Sequence, residues 1–397
     1  MRVLILLSVI CTALLASGAH GQATASQASG SVDYHVSELP SLGGSSAGFS
    51  INNRGWVAGR SGLLDVPVRH ATLWRDGLPV KDLGTLGSRE RNSVVRWPVK
   101  NVRGLITGIS QTDEPDLFGE NWSCSAFFPP ATATGYRCIG FKWQNGVMTA
   151  LPTLAEGVNG FATGSNNAGQ IVGWSETSFH DPTCETPQVL QFLPVVWEPT
   201  GRVRKLQLLP DDDSGAATAI NDVGQAVGIS GICDQAVGRF TARHAVIWDA
   251  SGNVTKLPTL GGVAWHTPNA INRDRDVVGF GNFSAADGGN YHPHAFLWTK
   301  QGGIRDLGTL PAPFDDTSEA WGINNSDQVV GRSCDVDGNC HAFLWQDGKM
   351  TDLTEMASGD AKPIAAYDID DFGRITGQAF DVGTGAFVAY VATPASR

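Results

Sequence analysis

The side chains of this chain that could bind a ligand are aromatic, imidazole and guanidinium groups outside its regular apolar segments. They are Trp97, Trp122, Tyr136, His180, Trp265, His266, Tyr291 and His292, together with Arg91 and Arg96. Exposed rings beside arginines can stack on sugar rings and pair with the carboxylates of uronic acids. These residue types therefore indicate a glycan site, and the alternative is that the rings pack their own long loops.

The enzymatic interpretation of the same residues is a polysaccharide lyase. Such an enzyme would use His and Tyr as acid and base, and an arginine to neutralise a uronic carboxylate. No spacing in the sequence specifies this constellation, and the sequence has neither a phosphate-binding loop nor a His-Glu-x-x-His motif. Binding is therefore favoured over catalysis, with a lyase or another carbohydrate-active enzyme as the alternative.

Two acidic segments resemble metal ligands only in part. The loop between Cys334 and Cys340 has alternating oxygen ligands, but it lacks the distal glutamate and is too short for an EF-hand. A disulfide-pinned turn is expected there, with a calcium ion as the alternative. For Asp211, Asp212 and Asp213 an exposed acidic turn is expected rather than a cation site. No cofactor and no metal are therefore predicted.

The elements that must position these residues are seven copies of an Asn-x-x-Gly-x-Val-x-Gly pattern. Its first residue is Asn52, Asn101, Asn166, Asn221, Asn272, Asn324 or Asp370, and its last is Gly59, Gly108, Gly173, Gly228, Gly279, Gly331 or Gly377. The asparagine side chain can bond the backbone two residues ahead, and the first glycine can take the positive φ of a turn. Each copy therefore predicts a tight hairpin between two strands.

A third and a fourth strand follow each hairpin. The third strand ends in tryptophan in six copies: Trp74, Trp143, Trp197, Trp248, Trp298 and Trp345. Central strands that are apolar on both faces are typical of sheets packed on both sides, and no helical periodicity is present after the first segment. The sequence thus predicts an all-β, seven-bladed β-propeller of four-stranded antiparallel blades. A sandwich or a β-solenoid is the alternative.

The two ends of the chain are expected to share one blade. The seventh copy holds three strands, and a strand-like segment at Val32–Pro40 stands near the start of the chain. This N-terminal strand would complete the last blade and remove an exposed sheet edge. Residues 22–397 are therefore predicted to form a single propeller domain.

The loops between the second and third strands vary most in length, and in a propeller they share one face. Function is expected on this long-loop face, because variable loops on a rigid scaffold often bind ligands. Copies 2 and 3 have the longest loops, and together with copy 5 they carry the predicted site residues, which are expected to meet above the channel mouth. His70, His244, His294 and His341 recur at one repeat position, which favours a blade-stabilising hydrogen bond over catalysis.

Residues 1–21 have the pattern of a secretory signal peptide, with Arg2, an apolar run and small residues at Ala19 and Gly21. The protein is therefore expected to be exported, to the periplasm or outside the cell, without membrane insertion. The even number of remaining cysteines indicates disulfides. The expected pairs are Cys124 with Cys138, Cys334 with Cys340, and Cys184 with Cys233 between neighbouring blades.

The charge of the chain limits its partners. It has 28 basic and 39 acidic residues, a formal net charge of −11, which argues against nucleic acid or an anionic membrane as the partner. A glycan, a cell-surface polymer or a protein is expected instead. The protein is expected to be a monomer.

The repeat motifs resemble those of the HAF-repeat family of extracellular bacterial proteins. The resemblance is carried by the segments His294-Ala295-Phe296-Leu297-Trp298, His341-Ala342-Phe343-Leu344-Trp345, Asp82-Leu83-Gly84-Thr85-Leu86-Gly87 and Leu260-Gly261-Gly262. It covers nearly the whole mature chain, although copies 2 and 3 depart from the motif. The resemblance implies export and a repeat fold, and it brings no established activity or catalytic residues.

Overall fold

The computed structural model describes residues 33–98, 101–120, 126–234 and 238–395. The predicted signal peptide lies outside the described residues. The strands form seven antiparallel sheets, six with four strands and one with five, which are the blades of a β-propeller. The predicted fold class is thereby confirmed.

Blades are numbered here by copy of the repeat, and the first described strand is β1 (Tyr34–Glu38). Blade 1 is β2 (Gly43–Ile51), β3 (Val57–Leu63), β4 (Arg69–Trp74) and β5 (Lys81–Asp82). Blade 2 is β6 (Ser93–Val94), β7 (Ile106–Pro115), β8 (Tyr136–Gln144) and β9 (Val147–Ala150). Blade 3 is β10 (Gly160–Ser165), β11 (Ile171–His180), β12 (Leu190–Trp197) and β13 (Val203–Lys205).

The remaining blades follow the same order. Blade 4 is β14 (Ser214–Ile220), β15 (Ala226–Gly231), β16 (His244–Trp248) and β17 (Val254–Lys256). Blade 5 is β18 (Thr267–Ile271), β19 (Val277–Asn282), β20 (Pro293–Thr299) and β21 (Gly303–Gly308). Blade 6 is β22 (Thr317–Ile323), β23 (Val329–Cys334), β24 (Cys340–Gln346) and β25 (Lys349–Asp352). Blade 7 contains β26 (Ala357–Ser358), β27 (Ala361–Ile369), β28 (Ile375–Asp381) and β29 (Ala386–Pro394).

The N-terminal strand β1 completes blade 7, as the sequence predicts. It pairs antiparallel with β29, with Tyr34 opposite Pro394 and Glu38 opposite Tyr390. The short strand β26 adds a fifth, parallel strand outside β1, which the repeat pattern does not predict. The ring closes against blade 1, where Ile51 and Trp74 pack with Ala389.

The described residues contain one α-helix, α1 (Leu353–Met356), and one 3-10 helix (Ala285–Asp287). The prediction of no helix misses α1 because four residues are too few to show a period. Its start is capped by Asp352, whose side chain accepts hydrogen bonds from the backbone N–H groups of Thr354 and Glu355.

The hairpins between the first two strands follow the predicted turn chemistry. In blade 1 the Oδ1 atom of Asn52 accepts from the backbone N–H groups of Arg54, at 2.9 Å, and Trp56, at 3.2 Å. Gly55 has a φ of 74°, which glycine adopts without steric cost. Where the pattern lacks this glycine, Arg275 and Asp327 take the positive φ instead, at 77° and 57°.

The last residue of the pattern is glycine for a different reason, which is that two backbone segments pack closely there. In none of the seven copies does it have a positive φ. A Cβ atom at this position would overlap with a carbonyl oxygen of the first strand in every blade, as it would at Gly228 with the oxygen of Ala216. Only glycine allows the first two strands to approach this closely.

The asparagine amides of five copies link their blade to the next one. The Nδ2 atom donates to the backbone carbonyl of the equivalent residue in the following blade at 3.0–3.4 Å: Asn52 to Asn101, Asn166 to Asn221, Asn221 to Asn272, Asn272 to Asn324 and Asn324 to Asp370. An ionised aspartate could not donate in this way, because its carboxylate only accepts. The repeated asparagine therefore forms both the turn and the contact between blades.

Apolar side chains fill the spaces between blades. Between blades 4 and 5, for example, Val227, Ile247, Ile271 and Phe296 form one cluster. The repeated tryptophans belong to such clusters, as Trp248 does between blades 3 and 4. Trp248 also donates its Nε1 hydrogen to the carbonyl of Gln207 at 2.6 Å. Burial of apolar area on both faces of every blade holds the ring together.

Candidate functional site

The two faces of the propeller differ as predicted. Loops between the second and third strands span 116–135 in blade 2, 181–189 in blade 3 and 232–243 in blade 4. On the opposite face the chain makes the tight asparagine hairpins. The recesses of the long-loop face are therefore the first candidates for a binding site.

A recess of about 700 Å³ lies on this face between blades 6 and 7 and is called here the blade 6/7 cleft. Its lining includes Phe314, Arg332, His341, Lys362, Tyr367, Gln378, Phe380 and Phe387. The ring of Phe387 is 46% exposed and lies edge-on to Phe380, with 5.5 Å between ring centres. The cleft thus combines exposed ring surface with cationic groups.

One repeat position explains why polar groups collect in this sector of the ring. The residue directly after the last glycine of the pattern faces the channel. It is apolar in blades 2 to 5, as Ile109, Trp174, Ile229 and Phe280. In the adjacent blades 6, 7 and 1 it is Arg332, Gln378 and Arg60. Three consecutive blades therefore turn a polar wall toward the channel.

Aromatic rings line the same sector, three residues before the hairpin asparagine or aspartate. They are Trp321 in blade 6, Tyr367 in blade 7 and Phe49 in blade 1. The rings of Phe49 and Tyr367 lie 4.5 Å apart, and those of Trp321 and Tyr367 lie 5.7 Å apart. Together with Arg60, Arg96 and Arg332 they form what is called here the arginine recess.

Arg96 enters this recess from blade 2. Its guanidinium carbon lies 4.4 Å from the ring centre of Trp321, 4.6 Å from that of Phe49, 5.2 Å from that of Tyr367 and 5.7 Å from that of Trp97. A guanidinium over ring faces is attracted by their negative potential. The side chain is therefore held in an aromatic cage.

The recess contains one carboxylate, and Arg332 is bound to it. Arg332 donates from Nε and Nη2 to the two oxygens of Glu319 at 2.8 and 3.1 Å. The indole of Trp321 donates to Glu319 as well, at 2.9 Å. The charge of Glu319 raises the pKa of Arg332, so Arg332 stays charged.

The other two arginines of the recess lack such a partner among the described residues. Burial, and after it the charge of Arg69, lowers the pKa of Arg60 to about 10. Burial also lowers the pKa of Arg96, and the charge of Arg332 lowers it further. Both shifts have the sign expected of cations that are removed from water and crowded together.

Two predicted site residues are buried, so the prediction that they are exposed platforms is wrong. Trp97 is 5% exposed and packs edge-on against Phe161 and Trp174 in the channel core. His266 is 3% exposed, with Nε2 3.1 Å from the carbonyl oxygen of Gly262. Burial lowers the pKa of His266 to about 4, which keeps its ring neutral. The sequence shows that both lie outside the repeat motif but not that their segments turn inward.

Three predicted residues of blade 5 pack against their own loop. Trp265 contacts the ring of Tyr291 with 4.9 Å between centres and donates to the carbonyl of Gly289 at 2.9 Å. His292 places Nδ1 3.4 Å from Asp287. Tyr291 keeps 44% of its surface exposed, so it is the ring of this group that remains open to a ligand.

The predicted residues of blades 2 and 3 are divided between two places. Arg91 lies over the ring of Tyr136 at 3.5 Å and pairs with Asp113 at 2.9 Å. His180 is exposed and meets Phe118 edge-on at 5.3 Å. Trp122 lies outside the described residues. The ring and ion-pair contacts described for Arg91 and His180 lie within blades 2 and 3.

The four repeated histidines each bond a carboxylate of their own blade region. The Nδ1 atom lies 2.9 Å from Asp82 in His70, 3.0 Å from Asp212 in His244, 3.0 Å from Asp306 in His294 and 2.8 Å from Asp352 in His341. These contacts tie the third strand to the fourth strand or to the connection before the blade. The predicted blade-stabilising hydrogen bond is thereby confirmed.

The described residues offer one mixed group of metal-ligand type on this face. His341, Asp352 and Glu355 bring their ligand atoms within 4.8 Å of one another. Asp181 lies near Cys184 and Cys233 in the same way, but these two sulfurs form a disulfide and are not available as thiolates. In the loop between Cys334 and Cys340, where a disulfide-pinned turn is predicted, the disulfide is present and Asp335 bonds Asn339 at 2.9 Å.

Two buried carboxylates meet between the long loops of blades 2 and 3. Glu176 is fully buried and Glu120 is 1% exposed, and Gln188 donates to both, at 3.3 and 3.2 Å. Burial, followed by the nearby charge of Glu120, raises the pKa of Glu176 well above its ordinary value. Burial also raises the pKa of Glu120. Burial and mutual repulsion therefore favour the protonated form of Glu176.

A Gly-x-Ser-x-Gly sequence around Ser46 does not form a nucleophile elbow. It lies within strand β2, and Ser46 is fully buried. The Oγ atom of Ser46 accepts a hydrogen bond from the backbone N–H of Ala389 at 2.8 Å. An elbow requires a sharp turn between a strand and a helix, so this serine joins blade 1 to blade 7 instead.

The tight-turn face has a smaller recess of about 250 Å³ at the channel end. Its side chains are bound to one another. Asp371 accepts from Asn53 at 2.7 Å and from Asn325 at 2.9 Å, and Asp222 accepts from Asn167 at 2.8 Å. Groups that are already paired offer little to a ligand, so this recess ranks below the long-loop face.

Two of the predicted disulfides are present. Cys184 is joined to Cys233, which links the long loops of blades 3 and 4, and Cys334 is joined to Cys340. For the pair of Cys124 with Cys138, Cys124 lies outside the described residues. Disulfides persist in oxidising compartments. No helix in the described part of the chain is long and apolar enough to span a bilayer.

Comparison with known proteins adds fold similarity alone. No family model matches the chain, and no curated protein matches it. The similar solved structures include a streptogramin B lyase (10% identity, 90% of this chain and 97% of that chain, TM-score 0.49). They also include a Xanthomonas campestris gluconolactonase (11%, 64% and 78%, 0.34) and the β-propeller domain of the Pyrococcus furiosus Trilobed protease (12%, 74% and 80%, 0.40). The resemblance to the HAF-repeat family therefore stays a prediction.

Proposed function

We propose that this protein is an exported β-propeller module that binds an acidic glycan or surface polymer at the blade 6/7 cleft. The observation that carries the proposal is the cleft itself, a recess of about 700 Å³ on the long-loop face lined by phenylalanine rings, Arg332 and Lys362. The disulfides support export, because they require an oxidising compartment.

Ring surface in the cleft suits the apolar face of a sugar. Phe387 is 46% exposed, and Phe314 stacks on the imidazole of His341 with 3.6 Å between ring centres. Aromatic rings with a fixed orientation contribute contact area at little conformational cost. A saccharide unit could therefore stack on Phe387 while its polar edge faces the cationic wall.

A protein with a negative net charge repels an acidic polymer unless its binding site is locally positive, and cations at this site supply that positive charge. A formal charge of −11 on the whole chain acts over distances at which salt screens most of it. In the cleft, Lys362 offsets Glu355 and Arg332 is paired with Glu319, so the surplus positive charge comes from Arg60 and Arg96 in the adjoining arginine recess. The local field therefore favours a carboxylate-bearing polymer over a neutral one.

The experiment is a glycan-array screen that includes uronate-rich and neutral oligosaccharides, followed by affinity measurement for three variants. Phe387→Ala and Lys362→Gln should each weaken binding of an acidic oligosaccharide about fivefold, since stacking and one ionic contact each contribute ~1 kcal/mol. Phe372→Ala is the matched control, because this phenylalanine of blade 7 is 68% exposed on the tight-turn face. An array without acidic hits, or equal affinity in all variants, would refute the proposal.

A second candidate, a polysaccharide lyase, is favoured by one observation. Arg332, His341 and Tyr367 line the same cleft, and Nδ1 of His341 is held by Asp352, which leaves Nε2 for a proton. In such a reaction a base removes the proton next to the uronic carboxylate, and the glycosidic oxygen leaves with a proton. Incubation with polygalacturonate should then produce unsaturated ends that absorb in the ultraviolet, and His341→Gln should abolish them.

A further inference from the structure

Two guanidinium nitrogens in the arginine recess are buried and unpaired. Nη1 of Arg60 and Nη1 of Arg96 have no hydrogen-bond partner among the described residues. Buried N–H groups without a partner are rare in folded proteins, because each loses its bonds to water without replacement. A pair of such donors in one recess therefore needs a cause.

Charge in the recess is unbalanced in the same direction. Arg60, Arg96 and Arg332 enter it, and Arg69 is close enough to lower the pKa of Arg60. Glu319 is the carboxylate that raises the pKa of Arg332, and its oxygens accept from Arg332 and Trp321. The recess therefore holds more cations than its carboxylate can neutralise.

Packing alone does not require arginine at these positions. The residues equivalent to Arg60 in blades 2 to 5 are apolar and fill the channel core, so a large apolar side chain fits this site in the fold. Ring faces stabilise the plane of the Arg96 guanidinium, but its N–H bonds point outward from the edge of that plane. Cation–π contacts therefore leave the donors unsatisfied.

We propose that Arg60 and Arg96 form a binding site for an oxyanion, the carboxylate, sulfate or phosphate group of a ligand that enters the arginine recess. Guanidinium groups present parallel N–H donors that match the oxygens of such anions. Both side chains are only partly buried, and Arg332 joins the recess to the open blade 6/7 cleft. The site differs from the polymer-binding surface, because it needs one anionic group and no sugar ring.

The test is thermal unfolding of the full mature chain at constant ionic strength, with chloride replaced by sulfate, phosphate or glucuronate. A ligand that binds the folded state raises Tm with its concentration, so at least one of these anions should raise Tm in a saturable way. Arg96→Met and Arg60→Met should each weaken that response at least tenfold in concentration. Arg54→Met is the matched control, because Arg54 is an exposed arginine over Trp56 on the tight-turn face.

A further readout separates binding from a structural role. If Arg96 serves only to fill the channel, Arg96→Met should lower Tm in chloride. If it is kept for an anion, the same variant should unfold at an equal or higher temperature in chloride, since an uncompensated buried cation is removed. Should Arg96→Met fail to fold, Arg60→Met and the anion titration of the unaltered protein still decide.

The outcomes also distinguish the source of the anion from the proposed glycan function. A Tm response to sulfate, phosphate or glucuronate without one to oligogalacturonate assigns a free small anion, and a response to both assigns a carboxylate that a polymer can also carry. Glycan binding without any oxyanion response would overturn this inference and leave the proposed function standing. An oxyanion response without glycan binding would support this inference and refute the proposed function.

Discussion

The last residue of each hairpin pattern must be glycine because of one carbonyl oxygen that lies close to it. The last glycine of every copy faces a carbonyl oxygen of the neighbouring strand so closely that a methyl group has no room. The first glycine answers a different demand, which is a positive φ, as at Gly55. Gly77, in the later turn of blade 1, also has a positive φ and has no atom within 4 Å of an added Cβ. Glycines at different positions of the repeat therefore differ in how well they tolerate substitution.

Gly228→Ala should therefore be much more damaging than Gly77→Ala. At Gly228 the new methyl group would overlap with the oxygen of Ala216, which forces two central strands apart and should cost more than about 4 kcal/mol. At Gly77 nothing lies near the methyl group, and only the positive φ costs about 1 kcal/mol. Urea unfolding of both variants measures the difference, and similar losses would contradict the steric explanation.

The buried carboxylates Glu120 and Glu176 make stability depend on pH. The folded pKa of Glu176 is raised by burial and by Glu120, so the folded state holds a proton that the unfolded chain releases above about pH 4.5. Stability from this group is complete below that pH and is lost as pH rises toward the folded pKa. Glu176→Gln should remove this part of the decline. Parallel curves of unfolding free energy against pH for the two proteins would contradict the assignment.

At the scale of elements, the repeated pattern predicts the blades, their hairpins and the strand β1 that closes the ring. Each of these rests on local signals, namely turn residues and apolar runs of fixed spacing. The candidate site depends on long-range placement instead. The sequence does not show that Trp97 turns into the channel core while Phe387 stays open, because both stand in similar apolar surroundings in the chain.

One signal for the site was nevertheless present in the sequence. Aligned on the last glycine, the following residue is apolar in four copies and becomes Arg332, Gln378 and Arg60 in the three others. Because those copies are neighbours only after the ring closes, the cluster becomes visible once closure is used to order the blades. The loop lengths point to blades 2, 3 and 5 instead, and there the described rings largely pack against their own segments.

The two described disulfides constrain loops of very different length. Cys184 and Cys233 are 49 residues apart, and Cys334 and Cys340 are 6 residues apart. The longer loop restricts the unfolded chain more, so removal of the first bridge by Ser substitution should cost about 4 kcal/mol and removal of the second about 2 kcal/mol. Chemical denaturation of the two double variants checks the order. A larger loss from the shorter loop would contradict it.

On the scale of the whole molecule, the ring is held shut by a strand from the other end of the chain. Strand β1 covers the edge of β29, and Tyr34 is 3% exposed. Deleting residues 33–40 should uncover that edge and lower stability by about 3 kcal/mol or more, since loss of one buried aromatic side chain alone has this effect. Addition of a synthetic peptide of residues 32–40 should restore the stability of the deletion variant. A deletion variant with unchanged Tm would refute the closure.

The ring is asymmetric in a way that suits one binding face. Its tight-turn face is a belt of asparagine and aspartate side chains bonded from blade to blade. Its long-loop face opens into the blade 6/7 cleft and, through Arg332, into the arginine recess. Rigid pairing on one face and unpaired donors on the other place the expected ligand at blades 6, 7 and 1.

Hydrogen exchange of the full mature chain with and without oligogalacturonate tests this placement most directly. The ligand should slow exchange in segments 335–341 and 380–388, which border the cleft, and leave the asparagine hairpins unchanged. The same experiment with Phe387→Ala should show weaker protection at equal ligand concentration. Protection confined to the loops of blades 2, 3 and 5, or to the tight-turn face, would contradict a binding site at the blade 6/7 cleft.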